Sequence, residues 1–307
     1  MTKKNISNGI LLFYILGILT CYAQDFGYDG SEGPTHWGDK YEKCVGKHQS
    51  PIDIDAKNVR FKDFPPLIYD NFDKHLEEVS VTNNGHTVML SIDKGEIPTI
   101  SGGPLNSTYG FSQLHFHWGP NDTLGSENKI NHHSFPLELH IVMYNMAYSS
   151  FKQALNFKDG LTVLSFLYSV SHENNTRYNQ FEQALDAVHN LLASKKFRDF
   201  VSLGDFVAID RSAYFTYEGS LTTPPCSEVV TWIEFKNTIP VSKEQIRNFR
   251  LLYNKGGHLT HNYRPVQALH DRIIYYNRGI SNHTSIMSTS WAIFAVFFGD
   301  RIISFFV

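Results

Sequence analysis

From residue 113 to residue 118 the chain reads Gln-Leu-His-Phe-His-Trp, and this alternation narrows what it can fold into. Leu114, Phe116 and Trp118 are large apolar residues of a kind that favours strands. Side chains along a strand point to opposite faces in turn, so Gln113, His115 and His117 share one face. Residues 136–142, Pro-Leu-Glu-Leu-His-Ile-Val, repeat the pattern and put Glu138 and His140 on a common face. If the two strands are antiparallel neighbours, three imidazoles meet on one sheet face beside a carboxylate and an amide. Three neutral histidines with a fourth position open are the ligand set of a catalytic zinc. Gln113 and Glu138 are groups able to fix imidazole tautomers from behind. A His-x-His pair alone is more often surface decoration or a hydrogen-bonded core pair than a metal site. The case therefore rests on the rest of the chain.

That remainder is strand-rich. Runs at 79–81, 87–92, 111–118, 137–144, 161–170 and 229–235 read as strands, separated by turns rich in Gly, Asn, Asp and Pro. An apolar stripe at helical spacing, Phe181, Ala184, Leu185, Val188, Leu191 and Leu192, predicts a helix. A second helix is predicted from Ser242, where Gln245 completes a capping box and Ile246 and Phe249 face inward. These stripes are core. No repeat, linker or charge block interrupts residues 24–280, which predicts one domain on a large sheet. With 307 residues, 42% of them hydrophobic, the chain can bury a sizeable core. A formal net charge of -3 offers nothing to a nucleic acid backbone.

The two ends differ from the body. Lys3 and Lys4, the apolar run from Ile10 to Leu19 and the small-x-small Cys21-Tyr-Ala23 read as a signal peptide over residues 1–23. The run is short for a membrane span. Cleavage there leaves Cys44 and Cys226 in an oxidising compartment, and one disulfide is the natural inference. Sequons at Asn106, Asn121, Asn174 and Asn282 agree with secretion and glycosylation. After a small, polar spacer up to Ser290, residues 291–298 are apolar, which makes residues 281–307 a candidate GPI-anchor signal. Asp300 and Arg301 interrupt the greasy run and count against a spanning helix. A membrane-embedded tail and plain secretion stay open beside the GPI anchor.

Further segments complete a pattern: Asn83-Asn-Gly-His86, Gly125-Ser-Glu127, Tyr217-Glu-Gly-Ser-Leu-Thr-Thr-Pro-Pro225 and Asn262-Tyr-Arg-Pro265, with Gly33-Pro-Thr-His-Trp37 and Gln49-Ser-Pro-Ile-Asp53 upstream. Together with the two histidine strands they resemble the α-class carbonic anhydrases, in order and spacing, from about Tyr28 to Tyr275. The resemblance implies a mixed α/β, β-dominated single domain with a large twisted, mostly antiparallel mixed sheet and short surface helices. It implies reversible hydration of carbon dioxide to bicarbonate by a zinc-bound hydroxide, and inhibition by sulfonamides and anions. His115, His117 and His140 would hold Zn2+, with Gln113 and Glu138 behind them. Thr222 and Glu127 would orient the nucleophile. Val142, Val163, Leu221, Thr223 and Trp232 would form the substrate pocket. His86 would shuttle the proton, with Tyr28 and Asn84 in its water network. Cys44 and Cys226 match the disulfide of extracellular members. Asn128, Met89 and Tyr263 depart from common family choices and touch rate, not reaction. The alternative is a catalytically silent extracellular binding or adhesion domain, a fate of this fold in which ligand histidines are typically lost.

Overall fold

Alternating apolar and polar residues pair into one twelve-stranded sheet in a computed structural model that describes residues 26–279. The expected signal peptide, the tail and the sequon at Asn282 lie outside the described residues. Eight strands carry the architecture. They are β1 (His75–Asn83), β2 (Val88–Lys94), β3 (Tyr109–Trp118), β4 (Leu137–Asn145), β5 (Leu161–Ser171), β6 (Ser194–Ser202), β7 (Tyr214–Gly219) and β8 (Val230–Ser242). Across the sheet they run β6-β1-β2-β3-β4-β5-β8-β7, followed by Tyr275–Asn277 and Arg60–Phe61. Leu67–Asp70 and Thr99–Gly102 pair with each other and add to β3. Pairing is antiparallel except between β5 and β8 and between the last two strands. The sheet is thus mixed and mostly antiparallel, with few short helices, as expected from the resemblance.

Both faces are covered, which is why β4 and most of β5 are buried without alternation. Leu139, Ile141, Leu164 and Phe166 enter the larger core, with Phe116 and the helices α1 (Asn179–Asp186) and α2 (Lys243–Phe249). On the other face Val142, Val163 and Trp232 join Ile52, Leu161 and Phe215 in a smaller core. Parity of position decides which core a residue enters, because successive strand side chains alternate.

The helices differ from expectation at one end. The capping box of α2 is present, with the Ser242 hydroxyl accepting from Gln245 N–H and Gln245 reaching back. By contrast α1 stops at Asp186, and Leu192 is exposed with a positive φ of 61°. Beyond the helix, the carbonyls of His189 and Asn190 accept from Asn83 Nδ2 at 3.0 and 3.2 Å. Asn83 N–H in turn donates to the Ala193 carbonyl. A buried amide on β1 thus claims backbone that helical continuation would need. The edge strand β6 carries Lys195, Lys196 and Arg198, charges that disguise it in the sequence and discourage pairing with another chain.

Cys44 and Cys226 are disulfide-bonded across 182 residues, as expected. Loop-closure entropy puts the stabilisation at about 5 kcal/mol, an upper figure. Replacing both cysteines by Ala should lower the unfolding free energy by roughly 2–5 kcal/mol. Urea unfolding of the two proteins under oxidising conditions checks this; equal midpoints would contradict it.

Candidate metal centre

Strand register builds the site. Pairing of β3 with β4 sets His115 opposite His140 and His117 opposite Glu138. Continued across the sheet, one row reads His115, His140, Ser165, Glu234 and Phe215. The adjacent row on the same face reads Gln113, Val142, Val163, Trp232 and Tyr217. A slip of one residue would send every one of these side chains to the other face. The three ligand atoms offered by His115, His117 and His140 lie within 4.8 Å of one another.

Each imidazole is held from behind. His115 Nδ1 donates to Gln113 Oε1 at 2.8 Å, and His140 Nε2 donates to Glu138 Oε1 at 2.7 Å. His117 Nδ1 donates to the backbone carbonyl of Asn262 at 2.7 Å. The tautomers follow: Nε2 of His115, Nε2 of His117 and Nδ1 of His140 are left as lone-pair donors. Gln113 and Glu138 are thus the side-chain partners of His115 and His140. The sequence reading missed Asn262, because a carbonyl lent by the backbone leaves no side-chain signal. Asn262 also clamps the end of β3, its Oδ1 accepting from Trp118 N–H and its Nδ2 donating to the carbonyls of Phe116 and His86.

The electrostatics favour the neutral forms of His115 and His117. Burial, then repulsion from His140, holds His117 down at about 3. Burial and the two neighbouring imidazoles hold His115 well below its ordinary value. Metal ligands must be deprotonated, so these shifts prepare the set for a cation. Among the buried atoms of the described residues that lack hydrogen-bond partners are His117 Nε2 and Glu127 Oε2, which stand 3.3 Å apart. A buried imidazole lone pair without a partner, beside two more of its kind, fits a tetrahedral dication with one position open.

Glu127 is oriented from several sides. Its Oε1 accepts from Arg264 N–H at 2.8 Å, while its own N–H donates to Glu138 Oε2 at 2.7 Å. Burial and the Glu138 charge push its carboxyl well up, with the Thr222 hydroxyl and Arg264 pulling the other way. Gly125 has no room for a side chain, since a Cβ would lie 2.1 Å from the Pro136 carbonyl oxygen. That close approach sets the turn presenting Glu127. The loop after β7 carries Thr222. It is tied by Trp232 Nε1 to the Ser220 carbonyl at 3.1 Å, by Gln49 Nε2 to the Cys226 carbonyl at 3.2 Å, and by the disulfide.

Beside the histidines opens a cavity of about 240 Å³. Val142, Val163, Leu221, Thr222, Thr223 and Trp232 line it together with His115 and His140. Phe151 and Leu155 add to this wall from a short helix, and nothing in their local sequence marked them. Met89 stands in register opposite His115. On the turn after β1, Gly85 takes a φ of 88°, and the Asn84 side chain accepts from the N–H groups of His86 and Thr87 at 2.9 Å each. The His86 ring stacks on Phe26 with centroids 4.0 Å apart. Tyr28 packs edge-on against Trp37, and burial followed by the Glu127 charge drives its phenol well up.

A twelve-stranded mixed sheet with three tautomer-fixed histidines on one face defines a β-sheet protein with a three-histidine metal centre. The family profile of the eukaryotic-type carbonic anhydrases matches residues 32–278, and the chain belongs to that family. It is 36% identical over 258 residues to carbonic anhydrase 7 of Mus musculus, covering 81% of this chain and 96% of that protein. Carbonic anhydrase 6 of Bos taurus is 34% identical over 275 residues, 87% of this chain and 85% of that protein. Carbonic anhydrase 3 of Homo sapiens is 30% identical over 259 residues, 82% and 98% respectively.

The depressed His117 carries a pH signature. Its folded value of about 3 lies below its ordinary 6.5, so the unfolded chain binds the extra proton between them. Stability of the metal-free protein should then fall as pH drops from 6.5 toward 3, by at most about 1.4 kcal/mol per pH unit from this residue. His117→Gln should flatten that slope in denaturant titrations. An unchanged slope would refute the assignment.

Proposed function

We propose that the protein is an extracellular zinc lyase that reversibly hydrates carbon dioxide to bicarbonate and a proton. The observation that carries this reading is the convergence of three imidazole lone pairs beside a small cavity with an apolar wall. His115, His117 and His140 would hold the ion. Zinc bound there supplies the Lewis acidity that brings the pKa of a coordinated water from 15.7 to about 7.

The chain's own residues do the rest. Thr222, facing Glu127, directs its proton to that carboxylate and can then only accept from the attacking oxygen, which fixes the direction of its lone pair. A dication nearby reverses the upward push on Glu127 and favours its ionised form. Carbon dioxide has no charge to grip, so Val142, Val163, Leu221 and Trp232 hold it by excluding water. His86, at the turn beyond β1, takes the product proton on a ring nitrogen and passes it to solvent, since an imidazole titrates near neutral pH. Tyr28 and Asn84 stand on the same side as ordering groups for the water between. The silent binding-domain alternative loses support from the complete ligand set, because losing a histidine is the usual route to silence.

Outside the described residues, the signal-like start and the apolar tail support secretion with a GPI anchor, and the disulfide agrees with an oxidising compartment. Phosphatidylinositol-specific phospholipase C should release the protein from expressing cells; retention would remove the GPI reading.

Stopped-flow carbon dioxide hydration tests the activity. Hydration should vanish on zinc removal by dipicolinate and return on adding zinc. Thr222→Ala should lower kcat/KM by roughly 10²-fold, the scale of one lost orienting hydrogen bond in a transition state. His86→Ala should lower kcat by about 10²-fold with kcat/KM little changed, and added imidazole should restore it. A zinc-loaded wild-type protein without hydration would defeat the enzyme reading.

A further inference from the structure

The chemistry above leaves one buried acid unused. Glu234 lies on β8 in the row of His115, His140 and Ser165, and it is 0% exposed. Asn128 bridges it to the metal centre, with Nδ2 donating to Glu234 Oε2 at 3.1 Å and to Glu138 Oε1 at 2.9 Å. The amide oxygen of Asn128 accepts from Tyr217 O–H at 3.1 Å and from Ile52 N–H at 3.2 Å. Turning this amide over would break the bonds to Glu138 and to Ile52 N–H. Phe215 follows Glu234 in the row.

The two carboxyls are unequal. Glu138 Oε1 accepts from His140, Asn128 Nδ2 and Ser165, and its Oε2 accepts from the N–H groups of Glu127 and Asn128. Five donors thus saturate the Glu138 carboxyl. Glu234 has far fewer donors, and its Oε1 lacks a hydrogen-bond partner among the described residues. Burial, then the Glu138 charge, pushes Glu234 well up.

We propose that Glu234 is a positioning residue for the metal centre: its carboxyl holds the Asn128 amide so that the second N–H meets Glu138 and keeps Glu138 against His140. Glu234 acts as a neutral acid, an acceptor that adds no competing charge. An apolar residue there would strand one Asn128 N–H in the interior and loosen the amide's hold on Glu138. The inference rests on reading the histidine triad as a metal site.

Zinc affinity, measured on the full purified protein by competition with a chromophoric chelator, tests it. Glu234→Leu should weaken zinc by about 10-fold or more, within the 10–100-fold range of lost partners behind a ligand. Glu234→Gln keeps a neutral acceptor and should bind zinc like wild type. Equal affinity in all three proteins, even with lower thermal stability in the Leu variant, would make Glu234 mere core and overturn the proposal. A Gln variant as weak as the Leu variant would overturn it too. If Glu234→Leu fails to fold, infrared difference spectra of metal-free wild type against Glu234→Gln decide. A protonated carboxylic acid band in the wild type supports the proposal, and carboxylate bands in its place refute it. Wild-type protein that binds no zinc would instead defeat the metal reading itself.

Discussion

The fold and the site depend together on one buried carboxylate, Glu138. An ionised carboxyl in an apolar interior is tolerated only when its oxygens are saturated with donors. Here a ligand histidine, a hydroxyl from the neighbouring strand, an amide and two backbone N–H groups supply them. Those donors come from β4, from β5 and from the loop bearing Glu127. One charge therefore orients a ligand, fixes the loop that aims Glu127, and ties that loop to the sheet.

The site is rigid because strands make most of it. Its ligands stand on two adjacent strands, and the apolar wall continues along the same face over β4, β5 and β8. Side-chain rows set by hydrogen-bonded register do not drift as loop residues do. The loop carrying Thr222 is the exception, and it is fastened where it leaves the sheet by Trp232, Gln49 and the disulfide. Asn262 and Arg264 do similar work from the far end of the chain. One fixes the His117 tautomer, and the other donates its N–H to Glu127 while its guanidinium holds Gln49 and the carbonyls of Ser50 and Cys44.

Much of this was legible from residues. The period-two alternation in β3 and β4 put the histidines on one face, and the Ser242–Gln245 pair marked the start of α2. Elsewhere local signals misled or were silent. The stripe through Leu192 promised a longer α1, yet Asn83 from a distant strand takes the backbone that extension requires. The charged edge strand β6 did not look like a strand, since its lysines and arginine serve solvent and neighbouring acids. Phe151 and Leu155 became cavity wall only because their short helix folds against β4.

The sequence by itself determined the chemistry: which side chains could ligate, which could accept a proton, and which faces of which strands they occupied. Those are properties of residue type and local period, and they survive without knowledge of neighbours. Tertiary structure alone decided the register that sets His115 opposite His140, the carbonyl that fixes His117, and the pairing of Glu138 with Glu234 across Asn128. Each joins residues remote in the chain through hydrogen bonds and desolvation, and these act through space, which a sequence read in one dimension does not encode.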